Sequence, residues 1–145
     1  MRLTVLSDYS LRVLMYLGAF PGRLSTIQEI AEAYSISENH LMKVVHRLGQ
    51  HGFVETIRGR GGGLRLGKPA DSIRLGDVLR ITEEDFYLVE CFGTEGSCQI
   101  TEVCRLKHAL QQALASYFKV LDAWTLADIV ANRRALISEL EGIDQ

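Results

Sequence analysis

The sequence predicts a mainly α-helical chain carrying one small β-hairpin. Three observations lead there. Apolar residues recur at helical spacing through most of the 145 residues, one glycine-rich stretch is bracketed by β-branched segments, and the region after the last cysteine keeps a helical period without a break. The length suits one ordinary domain, or a small module with an appendage. Apolar residues are 47% and charged residues 23%, near the globular average, which excludes disordered and fibrous classes. No apolar run approaches the roughly 20 residues of a membrane span. Met1-Arg2-Leu3-Thr4 leads into an amphipathic pattern rather than a secretory signal, so the expected location is the cytoplasm.

The first helix is expected to be capped by Ser7, with Asp8 in its first turn, and to run through Leu11, Val13, Leu14, Leu17 and Ala19 to the break at Pro21-Gly22. The second opens at Ser25-Thr26, where Thr26 and Glu29 have capping-box spacing; it packs Ile27, Ile30, Ala31 and Tyr34. After the turn Ser35-Ile36-Ser37, Ser37 caps a third helix with a narrow apolar stripe of Leu41, Val44, Val45 and Leu48, ended by Gly52. Its other face carries Asn39, His40, Lys43, Arg47 and Gln50. A second helix that is polar and cationic outward, reached by a tight turn, suits the major groove of DNA. Asn39 has the groups to read adenine and Lys43 those to read guanine. A merely solvated face would look the same, so the next segment decides.

Phe53–Ile57 and Leu64–Leu66 read as paired strands around Arg58-Gly59-Arg60-Gly61-Gly62-Gly63. The glycines permit a tight tip and close backbone approach, as at Gly61 and Gly62, and Arg58 and Arg60 suit the negative minor groove. A nucleotide-binding loop would need a helix next and a Lys-Ser/Thr pair; a strand follows and the pair is missing. A helix-turn-helix followed by a cationic hairpin is a winged helix. Charge agrees. Residues 1–80 hold 11 basic against 7 acidic side chains (+4) and residues 81–145 hold 5 against 11 (−6), so the first half suits a polyanion and the second does not.

A short helix around Leu75–Ile81 ends at Glu83-Glu84-Asp85. The three cysteines, Cys91, Cys98 and Cys104, follow with spacing Cys-x6-Cys-x5-Cys. An odd number in an intracellular chain argues against a disulfide framework. The spacing lacks the close pairs of structural zinc and the C-x-x-C of thiol redox proteins. It ranks an iron–sulfur cluster first, with a fourth ligand from elsewhere, zinc second and a thiol switch third. From Arg105, the residues Leu106, Leu110, Ala113, Leu114, Tyr117, Leu121 and Trp124 mark a helix of about 30 Å at about 1.5 Å per residue. The N-terminal module is too small to cover that stripe, so part of it should meet a second copy, which would also double the DNA site. Thr125 caps a short helix over 126–131, and a last one lies around 135–140. The expected organisation is a winged helix-turn-helix DNA-binding domain over 1–82, a cluster-binding loop over 83–104, and a dimerisation helix with C-terminal helices over 105–145.

These motifs resemble a known family. Asp8-Tyr9-x-Leu11-Arg12, the wing Arg58-Gly59-x-Gly61-Gly62-Gly63 followed by Leu66-Gly67-Lys68, and three cysteines just ahead of a long helix are similar to the winged-helix iron–sulfur transcriptional regulators. Cys104-Arg105-Leu106-Lys107 and Thr125-Leu126-Ala127-Asp128 favour its nitric-oxide-sensing branch. The resemblance covers nearly the whole chain. It implies a homodimeric repressor on a palindromic operator, released when nitric oxide attacks the cluster. It also implies a [4Fe-4S] cluster, with [2Fe-2S] as the alternative, held by Cys91, Cys98, Cys104 and Asp8 of the partner. Two departures stand out. Lys107 occupies the position of a family histidine ligand, with His108 about 100° further around the helix, and the first cysteine gap is one residue longer than is common. His108, Glu102 and Glu90 therefore stay open as the fourth ligand. The rivals are a cluster-free regulator sensing a metabolite or oxidant through the same cysteines, and an iron–sulfur carrier or redox protein. No catalytic constellation is visible, so no enzymatic activity is expected.

Overall fold

The computed structural model describes residues 1–142. Among these described residues, seven α-helices and one hairpin follow in the order α1 (Val5–Ala19), α2 (Ile27–Tyr34), α3 (Glu38–Gln50), β1 (Val54–Ile57), β2 (Gly63–Leu66), α4 (Leu75–Thr82), α5 (Arg105–Ala123), α6 (Leu126–Ile129) and α7 (Arg133–Glu141). Short 3-10 turns lie at Ala70–Ser72, Glu90–Phe92 and Thr101–Val103. The fold is a winged helix with a long appended helix, as the periodicity predicts. Among the described residues no helix is long and apolar enough to cross a membrane.

The caps explain most boundaries. Thr26 and Glu29 form the expected capping box, and Ser37 caps α3. The first cap differs from expectation. Thr4, not Ser7, caps α1, its hydroxyl accepting the Ser7 N–H at 3.2 Å. Ser7 lies a turn inside and is wholly buried, so its own hydroxyl serves a tertiary contact. Between α2 and α3 the turn needs one left-handed residue, and Ser35 takes it at φ 53°.

The core gathers Leu14 of α1, Ile30 of α2, Leu41 and Leu48 of α3, and Ile73, each at most 1% exposed. Burying each such side chain contributes about 1.5–3 kcal/mol. Leu126 (0% exposed) and Val130 belong to the same core, so the chain returns to the winged-helix body after α5. Arg133 fixes that return by donating from Nε to the Ala19 carbonyl at 2.7 Å, at the end of α1.

The wing is antiparallel with Val54 opposite Leu66 and Ile57 opposite Gly63. Ser25, just ahead of α2, adds a bridge to it through N–H and C=O bonds with Leu64 of 3.0 and 2.7 Å. Gly63 is required there, because a Cβ would meet the Ser25 carbonyl at 2.9 Å.

Helix α5 stands apart. None of its residues is buried. Lys107, Leu110, Leu114, Phe118 and Leu121 are half-buried toward the body, while Leu106, Ala113, Tyr117, Val120 and Trp124 are exposed.

Candidate nucleic-acid interface and cysteine loop

Helix α3 buries Leu41, Val44, Val45 and Leu48 and exposes Asn39, His40, Lys43 and Arg47. Steps of three and four from Asn39 lead through Lys43 and His46 to Gln50, all exposed, which defines one continuous polar face. His46 was missed as a candidate in the sequence, although the same spacing points to it. Lys43 makes no hydrogen bond or ion pair among the described residues.

Two of the expected DNA contacts have partners inside the chain. The His40 ring lies 6.2 Å from that of Tyr9 on α1. Arg47 donates from Nε to the Ile81 carbonyl on α4 at 2.7 Å. Both remain solvent-exposed.

At the wing tip, Gly59 and Gly61 adopt φ of 95° and 73°, conformations that favour glycine. Gly62 sits so close to the Ile57 carbonyl that no Cβ fits. This tight tip leaves Arg58 and Arg60 exposed without an acceptor among the described residues. Arg65 is different: it is paired across the strands with Glu55 at 2.9 Å, which lowers the Glu55 carboxyl below its ordinary range. The wing thus presents two exposed guanidiniums at the tip of the hairpin that follows α3.

The N-terminal half of α1 connects to that face by two routes. Asp8 pairs with Arg12 one turn on, at 3.0 Å. The Arg12 guanidinium lies over Tyr9 (5.6 Å) and Tyr34 (5.8 Å). Burial pushes the Tyr34 phenol up to about 12, against the pull of Arg12, so the cation rests there on a neutral ring. Tyr9 in turn meets His40 on α3. The second route runs through hydroxyls. Ser7 Oγ and Thr82 Oγ1 are 2.7 Å apart and buried, and Thr82 donates to the Val78 carbonyl at 2.9 Å. A hydroxyl has one proton, so Ser7 donates to Thr82. Thr4 donates to Glu83 from both N–H (2.8 Å) and hydroxyl (3.0 Å). Burial raises the Glu83 carboxyl, but the hydrogen bonds it accepts from Thr4 outweigh that and hold the group below its ordinary range. The end of α4 that binds α1 in this way is the end that accepts Arg47.

All three cysteines are free thiols. Cys98 is exposed, and Cys91 and Cys104 are half-buried. Cys104 is the N-cap of α5, its sulfur accepting the Lys107 N–H at 3.3 Å. An N–H···S bond is one of the levers that tune bound clusters. Gly96 lets the segment bearing Cys98 fold back onto Cys91, since a Cβ there would lie 3.0 Å from the Cys91 Cα. Beside Cys91 opens a cavity of about 680 Å³ lined by Phe86, Tyr87, Phe92, Lys107 and Gln111. Among the described residues no three Cys, His, Asp or Glu side chains converge on a single-ion site. Three thiols on one folded-back loop do have the donor chemistry for an iron–sulfur cluster. Glu90, Glu102 and His108 are exposed around the loop, and His108 shares a 3.2 Å hydrogen bond with Gln112.

The comparisons agree with this architecture. A family model described as Rrf2, iron-dependent transcriptional regulator, matches residues 3–132. The chain is 56% identical over 143 residues to the HTH-type transcriptional regulator NsrR of Bacillus subtilis, covering 97% of this chain and 98% of that one. It is 51% identical over 143 residues to the regulator of the same name from Geobacillus kaustophilus, covering 97% of each. Among solved structures, CymR, described as the global cysteine regulator of B. subtilis, matches with a TM-score of 0.72 at 26% identity, covering 91% of this chain and 98% of that one. IscR of T. potens matches with a TM-score of 0.74 at 25% identity, covering 91% and 88%. The match to the family profile over nearly the whole chain, and to full-length regulators at half identity or more, makes this protein a member of the Rrf2 family of transcriptional regulators and not an enzyme.

Proposed function

We propose that the protein is a nitric-oxide-responsive repressor that works in the cytoplasm as a homodimer, holding operator DNA while an iron–sulfur cluster is bound. The observation that carries this reading is placement: three free cysteines occupy the loop that joins the winged-helix body to α5. Relatives of half identity or more bear the name NsrR, which supports the same signal.

Cys91, Cys98 and Cys104 would hold the cluster, with Asp8 of the partner subunit as fourth ligand, most simply for [4Fe-4S]. The cluster would supply iron that nitric oxide binds, which weakens its hold on the protein. Among these residues Asp8 would supply the hardest donor, a carboxylate oxygen, beside three thiolate sulfurs. Within one chain, Asp8 has Arg12 as its alternative partner, and Arg12 leans on the rings that reach His40. The partner that Asp8 takes would thereby bear on the reading helix. Asn39, His40, Lys43 and Arg47 would face the major groove, with Arg58, Arg60 and the backbone of Gly61 and Gly62 at the minor groove or phosphates. The exposed seam Leu106, Ala113, Tyr117, Val120 and Trp124 advances by seven, four, three and four residues, the rhythm of a helix that packs on another helix. A second copy of α5 is the natural cover.

Native mass spectrometry without air, alongside a gel shift with and without nitric oxide, tests the proposal. A dimer carrying iron and sulfide, whose DNA complex dissociates with nitric oxide, is expected. Colourless, cluster-free protein whose DNA binding follows thiol oxidation instead would replace it with an oxidant sensor.

A further inference from the structure

No residue of helix α5 is buried; a backbone bridge between Arg74 and Thr125 and a bond from the Leu75 N–H to the Trp124 carbonyl hold the chain just past its C-terminal end, and one side-chain ion pair braces its last turn. Arg80 on α4 places Nη1 and Nη2 at 2.6 and 2.8 Å from the two carboxylate oxygens of Asp122 on α5. The same guanidinium lies 4.5 Å over the Phe118 ring and bonds Asp77 at 3.3 Å. Gly76, which is buried on α4, leaves the space the Asp122 carboxylate occupies; any Cβ there would collide with it. Phe118 is also met edge-on by Phe86, from the segment that leads to the cysteines, at 4.6 Å and 87°.

The side chains of Arg80 and Asp122 are 42% and 34% exposed, so the ion pair adds little to folding stability. Its two parallel bonds nevertheless constrain angle as well as distance. From Asp122 back to Arg105 the helix runs about 26 Å at about 1.5 Å per residue, so a tilt of about 8° moves the far end by about 3.5 Å. That is about one base-pair step of DNA.

We propose that Arg80 and Asp122 are positioning residues that set the half-site spacing the dimer accepts, by locking the angle between α5 and the DNA-reading body. This rests on the proposed dimerisation through α5. In such a dimer the two bodies are joined through α5 as well as through the Asp8 link, and the angle at α4 helps set the distance between the two α3 helices. A lysine in place of Arg80 keeps the charge but lacks the fork.

The test uses full-length, air-free protein and a duplex recovered by in vitro selection on the wild type. Binding is measured to that duplex and to versions with the centre one base pair longer or shorter, for wild type, Arg80→Lys and Asp122→Ala, with oligomeric state measured at the same concentrations. Wild type is expected to disfavour the altered spacings by about tenfold or more, in line with the usual cost of one lost base contact. Both variants are expected to remain dimeric while the preference falls to about threefold or less, which is about 0.65 kcal/mol. Dimeric variants that keep the wild-type preference overturn the proposal and leave the repressor reading intact. A variant that becomes monomeric also overturns it, since the pair would then serve assembly. Wild type that is monomeric, or that selects no duplex, removes the dimeric repressor itself.

Discussion

The buried hydroxyl pair between Ser7 and Thr82 gives the sharpest test of how α1 is tied to α4. Thr82→Val keeps the shape and removes the acceptor of the Ser7 proton, whose oxygen is wholly buried. The Ser7 proton then has only the 3.2 Å contact with the Thr4 hydroxyl oxygen to fall back on, and a buried donor stripped of its partner costs up to about 1–3 kcal/mol, more than the net value of the bond, which is about 0.5–1.5 kcal/mol. Ser7→Ala removes the donor itself, and Thr82 keeps its bond to the Val78 carbonyl, so about 0.5–1.5 kcal/mol is expected. The double variant should cost less than the two single losses together, because no orphaned proton remains, with a coupling of about 1 kcal/mol. Urea unfolding of the chelator-treated, reduced protein measures all four corners of the cycle. Additivity within about 0.3 kcal/mol would refute the proton assignment and the claim that this contact anchors α1. Since the same end of α4 accepts Arg47, Thr82→Val should also weaken DNA binding.

Further expectations concern other parts of the molecule. Arg60→Ala should lower DNA affinity and flatten its salt dependence by about one phosphate contact if the guanidinium meets backbone; titrations at several salt concentrations measure this, and an unchanged slope and affinity would take the wing out of the interface. Leu126→Ala should destabilise by about 2–5 kcal/mol in chemical denaturation, because that side chain is wholly inside the core despite following α5 in sequence. Glu83 has its folded carboxyl held below the ordinary value, so the stability it contributes is complete above the unfolded carboxyl range near about 4.3 and is lost as pH falls through the lower folded value. Glu83→Gln should remove that part of the acid dependence in a pH series of unfolding curves. Cys98→Ala should abolish visible absorption and operator binding together; tight binding without colour would separate the cysteines from the switch.

Much of the winged helix was legible from the chain alone because its signals are local. Thr26 with Glu29, Ser37 before an apolar stripe, and glycines between two β-branched segments each act within a few residues, where backbone sterics and capping decide the outcome. The candidate DNA face was readable for the same reason: helical period alone puts Asn39 and Lys43 opposite Leu41, Val44 and Val45. The three cysteines and the helix that follows them were equally plain in order and spacing. What the sequence could not supply are contacts between residues far apart along it. Ser7 has the chemistry of a cap, but Thr82, 75 positions away, makes it an internal strut and leaves the cap to Thr4. Arg47 and His40 look free on a helical wheel, yet α4 and α1 engage them. The apolar residues of α5 form one stripe in sequence, and only packing against α4 and the segment around Phe86 divides it into a half-buried face and an exposed seam. Such contacts depend on which elements the shared core brings together, and that is a property of the whole chain's burial rather than of any local pattern.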